Sequence, residues 1–249
     1  MTPTESSKPV RIAIIGQTAL RPEGAADRSG ALAVALRQYP GVEVTLRAIA
    51  ADESARDTID NVLAIHGIAS QVSVRDDGDP APIRLGDTLD IWSLFAHDLV
   101  ILDADDAPLR AFLTDLPAHT APGVRILGTL DYAAGDVTAR ERSRDIVLRF
   151  DAIAGTVGQA RALFGLNART DAEDIVHAIG TMMRGANLRA VAIHDRQKLA
   201  IAALDEPAAT IVVPASASRE QVIAAIAVTM ARRHRWIETA DLLVPSTDA

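Results

Sequence analysis

The residues best placed to do chemistry lie late in the chain, between Thr210 and Arg233. An apolar strand-like run is followed by a tight turn of small residues and then by a long apolar stretch with the length of a helix. The start of a helix offers unpaired backbone N–H groups and the positive end of the helix dipole, which together attract phosphate. The segment therefore predicts an anion site, with Ala217, Ser218 and Arg219 as its phosphate-binding residues.

Glu220 stands in the first turn of that predicted helix. A carboxylate there can take the proton of a substrate hydroxyl beside a bound phosphate, which makes Glu220 a candidate general base. The alternative is structural, because an acidic residue in the first turn complements the helix dipole and Ser218 is suited to cap the helix N-terminus. The sequence leaves both interpretations open.

The elements that must position this segment alternate between strands and helices. Apolar runs predict strands at Val10 to Ile15, Val42 to Ile49, Leu99 to Leu102, Val124 to Leu127, Ala152 to Ala154, Leu188 to Ile193, Leu199 to Leu204 and from Ile211, with two short pieces around the turn at 76–80. Helical spacing predicts helices at Ser29 to Tyr39, Asp52 to His66, Pro108 to Leu116, Ala139 to Phe150, Val157 to Leu166 and Asp171 to Arg184. This order predicts an α/β fold with a mostly parallel central sheet and helices on both faces.

Ligands of such sheets bind beyond the carboxyl ends of the strands. The polar residues that follow the predicted strands are Gln17, Thr18, Asp103, Asp105, Asp106, Asp131, Thr156, Asp195 and Glu220. Two of the acidic residues together could bind a divalent cation with substrate phosphates. Aspartate is also an ordinary turn residue at strand ends, so each one taken singly has a structural explanation.

Composition limits the class of protein. A chain of 249 residues and 26.4 kDa can bury a substantial core as one α/β domain, which we place at residues 10–245 after a polar, disordered tail at residues 1–9. The net charge of −8 and the pI near 5.2 argue against a nucleic-acid partner. The one basic cluster, at residues 232–235, is suited to complement a helix C-terminus.

Several kinds of site are excluded by missing residues. The chain has no cysteine, which removes disulfides and thiolate nucleophiles, and no apolar run approaches the ~18 residues of a membrane span. We therefore expect no membrane partner and a cytoplasmic location. The sequence contains neither the glycine pattern of a dinucleotide-binding turn nor a P-loop. Its six histidines lack metal-binding spacing, and its serines do not stand in the G-x-S-x-G motif of hydrolase nucleophiles.

The late segment resembles the ribokinase, or PfkB-type, carbohydrate kinases, which carry the sequence G-A-G-D after the last strand. The matching residues here are Ala217, Ser218, Arg219 and Glu220, so side chains replace the glycines of the anion turn. Residues 29–37 resemble the glycine-containing first signature and its alanine-rich helix, with Leu32 near the place of the sugar-contacting asparagine. Residues 127–132 resemble the strand of the family that ends in an aspartate and a tyrosine.

Other family positions are also changed. The N-x-x-E element that organises magnesium aligns with Thr156 to Gln159, which leaves a hydroxyl and an amide where an amide and a carboxylate are expected. The glycine-rich nucleotide loop aligns with residues 194–198, where the resemblance implies that His194, Arg196 and Lys198 contact the nucleotide.

The sugar-covering lid of the family is shortened in this sequence. Only the segment from Gln17 to Arg28 remains between the first strand and the first helix, and we expect it to be a short loop. Arg21 falls at the place of the substrate-binding carboxylate of the family. The resemblance implies that Gln17, Arg21, Asp103 and Asp131 face the substrate.

The resemblance implies a ribokinase-like three-layer α/β/α fold with a reduced lid. It implies ATP-dependent phosphorylation of a sugar hydroxyl, with ATP and Mg²⁺ as cofactors and a sugar or nucleoside as partner. The lost motifs predict that this activity is weak or lost, which would make the protein a ligand-binding or regulatory homologue and a candidate pseudoenzyme. Two alternatives remain. One is a divergent active kinase with Glu220 as general base, and the other is a non-catalytic assembly subunit that forms a homodimer through an exposed sheet edge.

Overall fold

Ten strands and six helices make up the regular structure of the described residues. The computed structural model describes residues 8–20, 26–50, 52–74, 96–103, 124–130, 144 and 147–243. The strands are β1 Val10–Leu20, β2 Ala26–Arg28, β3 Val42–Ala50, β4 Ala69–Val74, β5 Leu99–Asp103, β6 Arg125–Thr129, β7 Ala152–Thr156, β8 Ala190–Asp195, β9 Lys198–Ala203 and β10 Ala209–Val212. The helices are α1 Ser29–Arg37, α2 Glu53–Ile65, α3 Val157–Phe164, α4 Ala172–Met183, α5 Arg219–Arg232 and α6 Thr239–Leu243, with a 3₁₀ turn at Trp236–Glu238 before α6.

The central sheet has the strand order β10-β9-β8-β7-β6-β5-β1-β3-β4. The seven strands from β4 to β8 in that order run parallel, and β9 and β10 add an antiparallel meander to one side. Because β1 lies between β3 and β5 in the middle of the sheet, its carboxyl end faces the region where ligands of open α/β sheets bind.

The sheet is covered on both faces, which explains its aliphatic composition. One core layer packs α1, α2 and α5 against the sheet and includes Ile12, Leu36, Leu63 and Ile226. The other core layer packs α3 and α4 against the opposite face of the sheet and includes Ile153. The predicted three-layer α/β/α architecture is confirmed.

The starts of α2 and α4 are fixed by side-chain caps. The Asp52 carboxylate accepts from the Ala55 N–H at 2.7 Å, and the Asp171 carboxylate accepts from the Asp174 N–H at 2.8 Å. Such caps satisfy one of the N–H groups that a helix start leaves without an intrahelical partner. The predicted boundaries of α2 and α4 therefore agree with the structure to within a residue.

The prediction that residues 17–28 form a short loop is wrong for the part that the structure describes. β1 continues to Leu20, and its residues Thr18 to Leu20 pair antiparallel with β2, with Thr18 opposite Arg28. The apolar run predicted only the portion of β1 that pairs with β3 and β5, because the extension is held by β2 instead. The described part of this segment is thus a pair of antiparallel strands.

Some sequence predictions lie outside the described residues. These are the helix at Pro108 to Leu116, most of the helix at Ala139 to Phe150, and the second strand-like piece after the turn at 76–80. None of the helices that the structure describes is both long and apolar enough to cross a membrane.

Candidate active site

The carboxyl end of β5 places a buried carboxylate in the middle of the sheet. Asp103 ends β5 and only 5% of its surface is exposed. The Ser29 hydroxyl at the start of α1 donates to Asp103 Oδ2 at 2.9 Å, and the Thr129 hydroxyl at the end of β6 donates to Oδ1 at 2.8 Å. Buried charges need such partners, so three elements of the chain converge on this carboxylate.

Gly16 makes this convergence possible. It pairs with Asp103 across β1 and β5, and a Cβ atom at position 16 would overlap the Ser29 hydroxyl and the Asp103 carbonyl oxygen. A glycine is therefore required here for close packing of α1 and β5 against β1.

The first turn of α5 brings a cation and a second carboxylate to the same place. Arg219 Nη2 lies 3.7 Å from Asp103 Oδ1, and Arg219 Nη1 lies 3.6 Å from Glu220 Oε1. The Arg219 side chain is 23% exposed and that of Glu220 is 16% exposed, so both are partly withdrawn from water. The guanidinium thus lies between two carboxylates at the carboxyl edge of the sheet.

The start of α5 is capped as the sequence predicted. The Ser218 hydroxyl accepts from the Gln221 N–H at 3.2 Å, and the Gln221 side-chain oxygen accepts from the Ser218 N–H at 2.8 Å. This capping box uses two backbone donors of the predicted anion turn. The predicted N-cap role of Ser218 is confirmed, and fewer backbone N–H groups remain for an anion.

Thr156 and Gln159, predicted to organise magnesium, form a second capping box at the start of α3. Gln159 Oε1 accepts from the Thr156 N–H at 2.8 Å and lies 3.1 Å from its hydroxyl, while the Thr156 hydroxyl accepts from the Gln159 N–H at 3.3 Å. The amide oxygen, the one atom of Gln159 suited to Mg²⁺, is therefore already engaged with backbone. This pair fits helix capping and does not fit a magnesium site.

The residues predicted to contact a nucleotide form a tight turn between β8 and β9. Asp195 pairs with Lys198, and Arg196 has a positive φ of 49°. The His194 ring lies 2.6 Å from the Arg196 carbonyl oxygen, and Lys198 Nζ lies 3.6 Å from Glu173 Oε1. The turn follows β8 at the same edge as Asp103 but three strands away, roughly 14 Å at the usual strand spacing.

The structure brings together part of the predicted site. Asp103, Arg219 and Glu220 meet, and the backbone of Gln17 continues β1 directly after Gly16. The predicted residues Arg21 and Asp131 lie outside the described residues. Their roles, like those of the other predicted site residues, stay predictions.

Sequence reasoning missed Ser29 and Thr129. Both are polar residues in otherwise apolar contexts and both are buried, with exposures of 0% and 1%. Their one signal in the sequence is a hydroxyl at an element boundary, which is too common to indicate a partner far along the chain. Within the described ranges, no three histidine, aspartate or glutamate side chains gather closely enough to hold a metal ion.

Comparison with known proteins identifies the fold. The sequence matches no protein-family model and no curated protein. Among solved structures, phosphofructokinase-2 from Escherichia coli in complex with substrates and products has a TM-score of 0.67 at 13% identity, covering 93% of this chain and 90% of its own. The PfkB protein from Polaromonas sp. JS666 has a TM-score of 0.66 at 12% identity, covering 94% and 92%, and a putative ribokinase II from E. coli has 0.67 at 12%, covering 94% and 89%. The chain therefore has the ribokinase-like, PfkB-type fold that its sequence predicted, and identities this low show the fold alone.

Proposed function

We propose that this protein is a carbohydrate-kinase-like ligand-binding protein in which phosphotransfer from ATP to a sugar hydroxyl is weak or lost. One observation carries the proposal. The Arg219 guanidinium lies at the start of α5, within 3.7 Å of Asp103 and 3.6 Å of Glu220, where the resembling kinases have bare glycine backbone.

The position of Arg219 weakens an anion site in two ways. Its charge is already compensated by two carboxylates, so a phosphoryl group gains less from it than from an uncompensated cation. Side chains at Ala217, Ser218 and Arg219 also keep a transferring group further from the backbone N–H groups. Loss of a single preorganised donor from such a site costs on the order of a hundredfold to a thousandfold in rate.

The cofactors of the resembling kinases fit this chain unequally. Thr156 and Gln159 cap α3 with the atoms that a metal would need, so they are poorly suited to hold Mg²⁺. Arg196 and Lys198 lie on an exposed turn and have the charge to contact a nucleotide phosphate. Nucleotide binding without efficient transfer is the expected result.

A sugar or nucleoside is the ligand class that we propose for the site formed by Asp103, Arg219 and Glu220. One structure with the same fold, E. coli phosphofructokinase-2, was solved in complex with fructose-6-phosphate. Each Asp103 oxygen has a second lone pair beyond the one used by Ser29 or Thr129, so this carboxylate can accept a ligand hydroxyl. Its burial favours recognition of a neutral, hydroxyl-bearing ligand.

A divergent active kinase is the second candidate, and the placement of Glu220 favours it. The carboxylate lies at the helix start, partly buried and 3.6 Å from the Arg219 guanidinium, where a general base could accept the proton of a substrate hydroxyl. In this reading Glu220 takes the proton of the substrate hydroxyl and Arg219 contacts the transferring phosphoryl group.

A ligand screen with a turnover assay separates the candidates. Purified protein is tested by thermal shift against sugars and nucleosides, with and without ATP and Mg²⁺, and ADP release is followed for each ligand that raises the melting temperature. We expect ligand-dependent stabilisation and ADP release at least about a hundredfold below that of an efficient kinase, whose kcat is on the order of 10 s⁻¹.

Glu220→Gln distinguishes a weak kinase from background hydrolysis, with Glu43→Gln as the matched control at an exposed glutamate. Residual sugar-dependent ADP release should vanish in Glu220→Gln and persist in the control. Robust sugar phosphorylation by the wild type would overturn the proposal in favour of the divergent kinase. Failure of every sugar and nucleoside to bind would overturn the ligand assignment.

A further inference from the structure

A cavity lies at the opposite end of the sheet from Asp103. It has a volume of about 400 Å³ and is formed where β6, β7 and β8 begin, where β9 ends and where α5 ends. Its charged walls come from Arg125, Asp151, Arg189, Asp205, Glu206 and Arg233. Cavities of this size hold small-molecule ligands in other proteins.

Each carboxylate of this cavity has a partner. Asp151 Oδ2 accepts from the Ile126 N–H at 2.8 Å, and Glu206 Oε2 accepts from the Trp236 N–H at 2.9 Å. Asp205 Oδ2 lies 3.8 Å from Arg189 Nη1. The negative charges are therefore engaged with the protein itself: Asp151 and Glu206 accept backbone donors, Asp205 lies beside Arg189, and Asp151 also interacts with the charges of Arg125 and Arg189.

Arg125 and Arg233 both line the cavity, and their positive charges lie close enough to interact. Arg125 Nη1 donates to the Met230 carbonyl oxygen at 2.8 Å, which holds the guanidinium at the C-terminus of α5. Burial lowers the pKa of Arg125 and the neighbouring charge of Arg233 lowers it further, while the charge of Asp151 partly opposes both effects. Like charges held together in this way favour a counter-anion.

The backbone of Arg233 is held in a conformation that disfavours a side chain. Arg233 caps the C-terminus of α5 with φ of 59° and ψ of 32°, the left-handed region in which glycine is the usual residue. A residue with a Cβ costs roughly 1–2 kcal/mol more there. The guanidinium of Arg233 makes no hydrogen bond or ion pair within the described part of the chain, so its contribution to the fold is limited to the favourable effect of a cation near a helix C-terminus.

We propose that this cavity binds a small phosphate- or carboxylate-bearing metabolite, whose anionic group lies between Arg125 and Arg233. Planar guanidinium groups bind both kinds of anion through paired N–H donors. Trp236, Ala190 and Ala203 supply an apolar wall for the rest of the molecule. The basic cluster that follows α5 in the sequence thus contributes a ligand contact through Arg233.

This site is independent of the proposed function. The two sites lie at opposite ends of α5, a helix of 14 residues that spans roughly 21 Å. Anion binding at Arg233 is measured directly and needs no turnover at Glu220.

The test is a titration of the purified protein with inorganic phosphate, and separately with acetate, by calorimetry at constant ionic strength. Arg233→Gly removes the cation and relaxes the backbone, so the variant should fold at least as well as the wild type. Arg235→Ala is the matched control, because it removes the same charge two residues away and outside the walls of the cavity. Arg125→Lys keeps the positive charge but loses the planar guanidinium with its paired N–H donors.

We expect at least one of the two anions to bind the wild type and Arg235→Ala alike, and to bind Arg233→Gly about tenfold or more weakly, since hydrogen bonds to charged groups are of that strength. Arg125→Lys should weaken the same anion to a smaller extent. A preference for phosphate or for acetate identifies which group the ligand carries. Binding that Arg233→Gly leaves unchanged, or no binding of either anion to the wild type, would overturn the proposal.

Discussion

Arg219 and Asp103 form an ion pair at the carboxyl edge of the sheet, with 3.7 Å between Nη2 and Oδ1. The guanidinium comes from the first turn of α5 and the carboxylate from the end of β5. The pair therefore ties the last long helix to the centre of the sheet, at the edge where a ligand would bind.

Replacing Arg219 by methionine should destabilise the fold by about 1–3 kcal/mol, because it leaves the nearly buried Asp103 carboxylate with hydroxyl donors and no cation. Urea unfolding measures the loss. In the double variant with Asp103→Asn the cost should be smaller, since no buried charge remains. Lys198→Met is the control: it breaks an exposed pair with Glu173 and should cost no more than about 1 kcal/mol. An equal loss of unfolding free energy from Arg219→Met in the wild type and in the Asp103→Asn variant would show that the two residues are not coupled.

Gly16→Ala should destabilise the protein by about 1–3 kcal/mol, because the new methyl group overlaps the Asp103 carbonyl oxygen and the Ser29 hydroxyl. Gly158→Ala makes the same chemical change on the exposed side of α3, where the nearest atom is 3.9 Å from the new Cβ. That variant should be more stable by about 0.5–1 kcal/mol through helix propensity. Thermal unfolding of the two variants compares them directly, and an unaffected Gly16→Ala protein would contradict the close packing at Asp103.

Tyr39 should titrate well above an ordinary tyrosine. Burial raises its pKa to about 12, although the nearby Arg232 opposes the shift. Since the folded pKa exceeds the unfolded value near 10, the contribution of the neutral phenol to stability is complete below pH 10 and is lost as the pH rises through about 12. The chain has two tyrosines, so the ultraviolet titration curve of Tyr39→Phe subtracted from that of the wild type isolates this group.

The same Tyr39→Phe variant reports on a hydrogen bond. The Tyr39 hydroxyl donates to the Leu242 carbonyl oxygen at 3.1 Å, so its removal should cost about 1 kcal/mol at neutral pH. A difference titration centred near pH 10 would contradict the burial of the phenol.

Asp151→Asn should change how stability depends on pH. Burial raises the pKa of Asp151, and the Ile126 N–H, Arg125 and Arg189 only partly oppose it. The stability gained from protonating Asp151 in the folded state is therefore fully present below the unfolded value of 3.8 and is lost as the pH rises through the folded pKa. The free energy of unfolding of the wild type, minus that of Asp151→Asn, should rise as the pH is lowered from 7 to 4.

The control for Asp151→Asn is Asp98→Asn. Asp98 also accepts a backbone N–H, from Arg11 at 2.9 Å, but it does so at the surface. Comparing the two variants separates the effect of burial from that of exchanging a carboxylate for an amide. If the difference for Asp151 fell as the pH was lowered, the charges of Arg125 and Arg189 and the Ile126 N–H would outweigh burial.

The sequence by itself determined most of the described elements and the fold class, because both depend on local patterns. The apolar run at Leu99 to Leu102 is long enough only for a buried strand, and Ser218 before a long apolar stretch marks a helix start, which the capping box confirms. The resemblance at residues 217–220 then indicated the ribokinase-like fold, although the residues that differ from the family pattern gave no indication of their new partners.

The tertiary structure decided what those residues contact. Ser29, Thr129 and Arg219 are far apart along the chain and reach Asp103 only because β5 lies between β1 and β6 and α5 begins above them. Strand order and cross-strand pairing are long-range properties that no local period encodes, which is also why the extension of β1 with β2 was missed. The cavity between Arg125 and Arg233 depends on the same long-range packing, since it joins the start of β6 to the end of α5.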